Sequence, residues 1–582
     1  MAPSLGRLVQ AALESLQEVS VDQLEGDLVS VLEEHLSRGL VVGAKTLADL
    51  LAAVVGRRDG DSVVPGAVEP FADRAEQYKY LCGKTLFDAR EYRRCAHALE
   101  GCTDRRSRFL RLYARYLHGE KRREEEQLEL GSGHGSVSPQ GTNAEIPELL
   151  SALRAIEGAD GSATDDPYLL LMRAQLCRAC GDINDAADCL AAALLMRPAL
   201  WSAWAQLLEV GDDIGVVVQR FEAALAEGRF WMFGLFLAQY LADHGEMQLA
   251  LTMYTALLRR FESSALLLSQ LAQIHFNLRD FDTAAEALRE VRAVDPFRLE
   301  GADLYSNILF VKEDRTELGA LASHCVSVDK YRAETCCVIG NYYALRQQHE
   351  KAAQYFRRAL TLDRSYLSGW TLMGHEFLEM KNTAAAVEAY RRAIDLDPQD
   401  CRPFYGLGQA YELLGMPHYA LYYYKKAATL RPTDSRMWHA VAQILYELEQ
   451  KREALLCFER ALSCDAPDQK TLRRVADIAW ELGDAERAVP LYEQIVERQV
   501  RANMAFDPLG EGDVDCVLRL AAHYFQRGEF GRAEEYASLP MEPKDERRRE
   551  LLHQLKRGIA DAKRARTGGP HSVRHAETLI RP

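Results

Sequence analysis

Two short patterns carry the residue types of a reactive or ligand-holding site. Cys177-x-x-Cys180 has the spacing of half a zinc site. A structural zinc needs a second ligand pair, and no other Cys-x-x-Cys occurs in the 582 residues. Cys177 also falls on an apolar helical stripe, so core packing is the better reading. Gly131-Ser132-Gly133-His134-Gly135 resembles a phosphate-cradling loop, but it follows no strand pattern and lacks the Gly-Lys-Ser/Thr ending. The fifteen histidines are dispersed, with no His-Glu-x-x-His pair, and no Ser-His-Asp set is arguable from order alone. The sequence therefore assigns no catalytic residue, no metal and no cofactor. What remains is recognition chemistry. Amide, carboxylate and aromatic side chains recur at regular intervals: Glu334 and Asn341, His375 and Glu379, Tyr405, Gln409 and Glu412, then Arg436, His439 and Gln443. Amides of this kind pair with the backbone of an extended peptide. Glu379, Glu412 and Glu447 suit a bidentate Arg guest.

Those intervals are set by a repeat. Trp370, Gly374, Phe377, Ala386, Tyr390, Ala393 and Pro398 are followed 34 residues later by Phe404, Gly408, Tyr411, Ala420, Tyr424, Ala427 and Pro432. The same step backward gives Cys336, Gly340, Tyr343, Ala352, Phe356 and Ala359. Starts fall near 167 and 201, then at 231, 265, 299, 333, 367, 401, 435 and 469 without a slip. This is the tetratricopeptide period, a helix–turn–helix unit that buries its apolar face only by stacking on its neighbours. Small residues at positions 8, 20 and 27 let the two helices approach, and bulky residues at positions 4, 7, 11 and 24 fill the space beside them. Proline at position 32 ends the second helix. Positions 2, 5, 9 and 12 of each first helix form a separate stripe. That stripe holds the recognition residues named above, with Glu379 and Glu447 adjacent to it one position on, and in tetratricopeptide solenoids it lines the concave groove. The predicted fold is an all-α tetratricopeptide superhelical solenoid.

The organisation read along the chain has four parts. Residues 1–58 hold two or three amphipathic helices, with a Gly/Pro-bearing linker after them. Residues 72–230 hold an N-terminal array with a weak first repeat, a charged helix end and flexible insertion at about 120–145, and an irregular unit at 211–230. Residues 231–540 are the C-terminal array with the groove. Residues 541–582 are a charged helix and a disordered tail. Ser138-Pro139 in the insertion reads first as a surface loop and second as a proline-directed phosphosite. A formal net charge of −15 argues against nucleic acid as a partner. No run reaches the roughly 18 to 20 apolar residues of a membrane helix. Thirteen cysteines, an odd number scattered through apolar helical patterns, read as reduced thiols of an intracellular protein.

The central run is more particular than packing demands. Residues 328–360, 369–394 and 405–437, including Lys330-Tyr331-Arg332, Cys336-Cys337 and Met416-Pro417, resemble subunit 8 of the anaphase-promoting complex, the cell-division-cycle 23 family. The likeness extends over most of 20–540 and is strongest at 265–440. It implies a non-catalytic subunit of a cullin–RING ubiquitin ligase that drives mitotic exit, in the nucleus and cytoplasm. It implies a homodimer formed through the N-terminal half, with residues 1–58 as a dimerisation segment. The implied partners are the sister repeat subunits, the large scaffold subunits, the cullin/RING module and coactivators of the Cdc20/Cdh1 type. The family's C-terminal superhelix receives a short Arg-bearing coactivator motif, which maps onto the stripe at 334–447. Two alternatives stand beside this reading: another repeat subunit of the same complex, and a co-chaperone that clamps acidic tails with groove Lys and Arg.

Overall fold

The structure is a computed structural model. It describes residues 5–55, 74–130, 143–160, 166–211, 221, 231–464, 469–502, 511–539 and 545–567. Among these residues there are helices and turns and no strand, and the helices pair as the 34-residue period predicts. The first helices of successive repeats begin at Pro167, Trp201, Phe233, Ala265, Ala302, Ala333, Leu367, Cys401, Ser435 and Gln469, each within three residues of its expected start. Ser138 and nearly all of the 211–230 unit lie outside the described residues, as does the tail after Thr567. The charged stretch after residue 120 continues helix Arg105–Leu130. Helix Ile146–Asp160, just after the insertion expected at about 120–145, buries Ile146, Leu149 and Leu153.

Each repeat closes on the same few contacts. In the repeats that start at 333, 367 and 401, the position-8 glycine faces the position-24 ring of its own second helix. A Cβ built on Gly340, Gly374 or Gly408 would lie 2.5, 2.5 and 2.4 Å from a carbon of Phe356, Tyr390 and Tyr424. Alanines at positions 20 and 27, such as Ala386 and Ala393, are fully buried beside those rings. The turn between the two helices needs one left-handed residue. It is Gly at 181, 245, 415 and 483, and Arg279, Glu313, Gln347, Lys381 and Glu449 take the same positive φ in five further repeats. A position-4 Trp, where present, ties the inter-repeat turn to the next helix. Trp204, Trp370 and Trp438 donate their indole N–H to the carbonyls of Pro198, Arg364 and Pro432 at 2.8, 3.1 and 2.8 Å, six residues back each time.

The glycine contact makes a prediction whose sign runs against helix propensity. Alanine in a helix interior is normally better than glycine by about 1 kcal/mol. Gly374→Ala is instead expected to destabilise by about 1–2 kcal/mol, because the Tyr390 ring must move. Gly531→Ala, where nothing lies within 4 Å, is expected to stabilise. Thermal unfolding of the two variants checks the opposite signs.

The chain packs as two compact units, Met1–Lys330 and Tyr331–Pro582, where the sequence reading divides the arrays near 230. In the first unit the N-terminal helices α1 (Leu5–Glu18), α2 (Val21–Arg38) and α3 (Val41–Val55) lie on the repeats of their own chain. Helix α1 packs on helices Phe233–Asp243 and Met247–Arg260. Helix α3 packs on Trp201–Val210 and Ala265–Asn277. Polar ties fix the register. The Leu266 N–H donates to Asp49 at 2.8 Å, Trp231 Nε1 donates to Asp27 at 3.2 Å, and Arg197 donates to Glu34 at 2.6 Å. His35 is fully buried, with Nδ1 2.8 Å from the Val31 carbonyl and Nε2 2.9 Å from the Ser202 hydroxyl.

In the second unit the first helices form an inner rank. Helices Leu367–Glu379 and Cys401–Leu413 touch each other directly. The second helices, His349–Leu362, Thr383–Leu396 and Pro417–Leu430, form an outer rank, each packed between inner helices. The core follows the inner–outer seam through Phe356, Tyr390, Tyr424 and Phe458 and continues to Tyr492.

Candidate peptide-binding groove

The inner rank presents the predicted stripe, and its accessibility changes along the unit. In the helix Ala333–Leu345 the stripe is closed. Cys337 and Asn341 are buried, the latter 3% exposed, and Glu334 is half-buried and grips Arg332 at 2.9 Å. Asn341 is a packing residue of this chain, which a single-helix projection does not reveal. In the next helix Thr371 is buried and returns its hydroxyl to the Leu367 carbonyl. His375 is half-buried, and Glu379 is exposed. From there the stripe is open: Tyr405, Gln409 and Gln443 are half-buried, and Glu412, Arg436, His439 and Glu447 are exposed.

The electrostatics favour a cationic guest. The two arginines of the stripe are already held. Asp400 accepts from Arg402 at 2.9 Å, and Asp434 binds Arg436 at 2.8 Å. Each of these aspartates also caps its helix by accepting the backbone N–H two residues on. Glu412 accepts the Tyr424 hydroxyl at 2.7 Å, and Glu447 accepts from Gln443 at 3.1 Å. A neutral donor leaves each carboxylate its charge. The net field over the open stretch is therefore negative.

Hydroxyls at position 24 supply a second set of polar atoms that the stripe rule misses. Tyr390 meets His375 Nδ1 at 2.8 Å. Burial pushes the Tyr390 phenol far above its usual value, while burial, with help from the Arg402 charge, lowers His375 to about 4. A neutral imidazole therefore accepts from a phenol that stays protonated. Tyr424 does the same for Glu412, and Tyr492 donates to Asp477 at 2.8 Å. The sequence signal was present. Each position-24 Tyr faces an acceptor at position 9 or 12 of its own repeat, but the repeats with Phe356 and Phe458 also carry amides at position 9, Asn341 and Gln443, so the position-24 ring and not the acceptor is the informative residue. Glu376, also outside the predicted set, is buried and bonded to His349 at 2.9 Å; burial raises its carboxyl and His349 partly offsets that.

No group of three His, Cys, Asp or Glu side chains that could hold a metal occurs among the described residues. All thirteen cysteines are free thiols, with Cys177 buried and Cys180 exposed. No described helix is long and apolar enough to cross a membrane.

Comparison with known proteins adds likenesses to one family over part of the chain. Residues 62–272 match the family model of anaphase promoting complex subunit 8 / Cdc23. Residues 333–366, 374–415 and 440–500 match tetratricopeptide repeat models. The human cell division cycle protein 23 homolog is 37% identical over 293 residues, covering 50% of this chain and 47% of that protein. The mouse homolog is 38% identical over 316 residues, covering 53% and 50%. Subunit 8 of the anaphase-promoting complex of Arabidopsis thaliana is 39% identical over 246 residues, covering 42% and 40%. The chain thus spans about half the length of the curated relatives it matches.

Proposed function

We propose that this chain, a tetratricopeptide protein of the anaphase-promoting complex subunit 8 / Cdc23 family, is a non-catalytic scaffold subunit of that complex. In this reading it serves a cullin–RING ubiquitin ligase by holding sister subunits and by receiving an Arg-bearing coactivator segment in the open groove at 375–447. The observation that carries the groove assignment is its charge arrangement. The stripe's arginines are held by their own aspartates, whereas Glu379, Glu412 and Glu447 present unneutralised charge along one face. The same arrangement speaks against a co-chaperone clamp for acidic tails, which needs free cations in that place.

Homodimerisation belongs to this proposal as well. Helices α1 to α3 spend most of their apolar faces on their own repeats, so a second copy would meet the outer corner of α2 and α3. That corner exposes Leu36, Val41 and Val42. Helix Arg74–Asp88 reaches it, with the Tyr80 hydroxyl donating to the Ser37 carbonyl at 2.5 Å, and exposes Tyr78 and Leu81. An apolar corner of this kind suits a symmetric contact.

The test of the groove is a charge reversal at exposed positions. Glu379→Lys with Glu412→Lys is expected to weaken binding of a labelled peptide carrying the coactivator's N-terminal Arg motif by about a hundredfold, since two favourable pairs become repulsive. Loss of the Tyr424 bond to Glu412 lowers stability by only about 1 kcal/mol, so circular dichroism stays native. Unchanged peptide affinity in a folded double variant would remove the groove from the proposal.

A further inference from the structure

The outer rank of the second unit carries a feature the groove does not use. Positions 25 and 26 of three successive repeats hold Arg357-Arg358, Arg391-Arg392 and Lys425-Lys426, spaced 34 residues apart. Each dyad directly follows the buried position-24 ring and precedes the buried position-27 alanine, so all three emerge on the same side of their helices. Five of the six cations are exposed and Arg358 is half-buried.

In a chain of net charge −15, cations normally find carboxylates. Arg289, at the same position two repeats upstream, is held by both oxygens of Glu317 at 3.2 and 3.3 Å. Among the described residues, none of the six dyad cations forms an ion pair. Their contacts are to rings and a hydroxyl instead. Arg358 lies over Tyr331 at 5.1 Å, Lys426 over Tyr422 at 5.5 Å, and Arg391 donates to the Tyr411 hydroxyl at 3.2 Å. The rings are themselves open, with Tyr331 66% and Tyr422 54% exposed. The run is bounded. The corresponding pairs are Ser323-His324 before it and Glu459-Arg460 after it, and Glu459 is engaged by Arg487 at 3.6 Å.

We propose that this basic and aromatic strip docks an extended acidic segment of a partner protein. Its carboxylates would meet the dyads, and its apolar side chains would lie on the exposed tyrosine rings between them. A peptide fits better than a nucleic acid. The exposed carboxylates Glu388 and Asp395 flank the middle dyad, and they would repel a continuous phosphate backbone while a peptide can place its own charges around them. Single exposed pairs are weak, so the site works as an array and its affinity falls with salt.

The experiment uses the full chain and a fluorescein-labelled peptide of repeated Glu-Asp-Phe units, read by anisotropy. A single-stranded oligonucleotide and anionic phospholipid vesicles serve as parallel probes. The variant is Arg357→Glu with Arg392→Glu and Lys425→Glu, three cations that touch no ring, so native circular dichroism is retained. The expected result is peptide binding weakened at least about tenfold by the reversal, from three exposed pairs turned repulsive, with the oligonucleotide and vesicles bound more weakly than the peptide by the parent chain. Equal peptide affinity for parent and reversed chains overturns the proposal. So does an oligonucleotide or vesicle that binds the parent as tightly as the peptide and is lost equally on reversal.

Discussion

Tyr390→Ala is expected to destabilise the second unit by about 3–5 kcal/mol, the cost of deleting a buried aromatic side chain. The ring is fully buried and lies between two glycines of successive repeats. The added Cβ of Gly374 would sit 2.5 Å from it, and that of Gly406 2.4 Å. No neighbouring side chain is long enough at those positions to refill the space. Repeat stability is a near-neighbour sum, so the loss should be local. Hydrogen exchange should accelerate in the helices between His349 and Leu413 and much less beyond Gln469. Tyr390→Phe isolates the hydroxyl. It should cost about 1 kcal/mol, remove the donor to His375 Nδ1 and leave the packing in place. A global, uniform rise in exchange from Tyr390→Ala would contradict the nearest-neighbour account.

Acid is expected to loosen the N-terminal helices through His35. Burial, opposed in part by the bond to the Val31 carbonyl and aided by the Arg38 charge, lowers this imidazole from 6.5 to about 4. The folded value lies below the unfolded one, so the unfolded chain takes up the proton first. Stability is unaffected above pH 6.5 and falls as pH drops from 6.5 toward 4. The full difference is worth about 3 kcal/mol, of which about 2 kcal/mol is gone by pH 5. The reason for the depression is structural. Nδ1–H is spent on the Val31 carbonyl and Nε2 meets the Ser202 hydroxyl, so a second proton would place an uncompensated imidazolium charge in the buried seam between α2 and the helix Trp201–Val210, near Arg38. His375, also lowered to about 4, adds a contribution of the same sign in the second unit. The check is unfolding of parent and His35→Gln at pH 7 and pH 5. The parent should lose about 2 kcal/mol more than the variant over that interval. Equal losses would mean that His35 does not titrate in the folded chain as its burial requires.

These two cases show what the sequence could and could not express. The period was legible because the packing it encodes is local. Gly374 meets Tyr390 within a single repeat, with Ala386 and Ala393 buried on the same helix as that ring, and Pro398 follows the helix end that it enforces. Starts were therefore readable to within three residues over ten repeats. The docking of α1 to α3 was not legible. Their partners lie as far off in sequence as Trp231 and Leu266, and an amphipathic face says only that something covers it. The groove falls between these limits. Periodicity gave the direction of each side chain on its own helix, which placed Glu412, Arg436 and His439 at the open surface. It gave no information about what neighbouring elements lay over that helix, and so Asn341, at the same repeat position as Gln409, is buried. The aspartates that hold Arg402 and Arg436 were also missed, because each is two residues before its arginine, outside the helical stripe.

The central claim, that the chain is a scaffold subunit of the anaphase-promoting complex, is tested most directly by affinity purification of the tagged full chain from mitotic cells in which it is native. The eluate would be read by mass spectrometry and by a ubiquitination assay. The account predicts co-purification of sister tetratricopeptide subunits, a cullin-like subunit and a RING subunit, with ligase activity that a tagged chain lacking these partners does not show. Recovery of molecular chaperones alone, without ligase activity, would contradict it and leave only a repeat fold shared with that family.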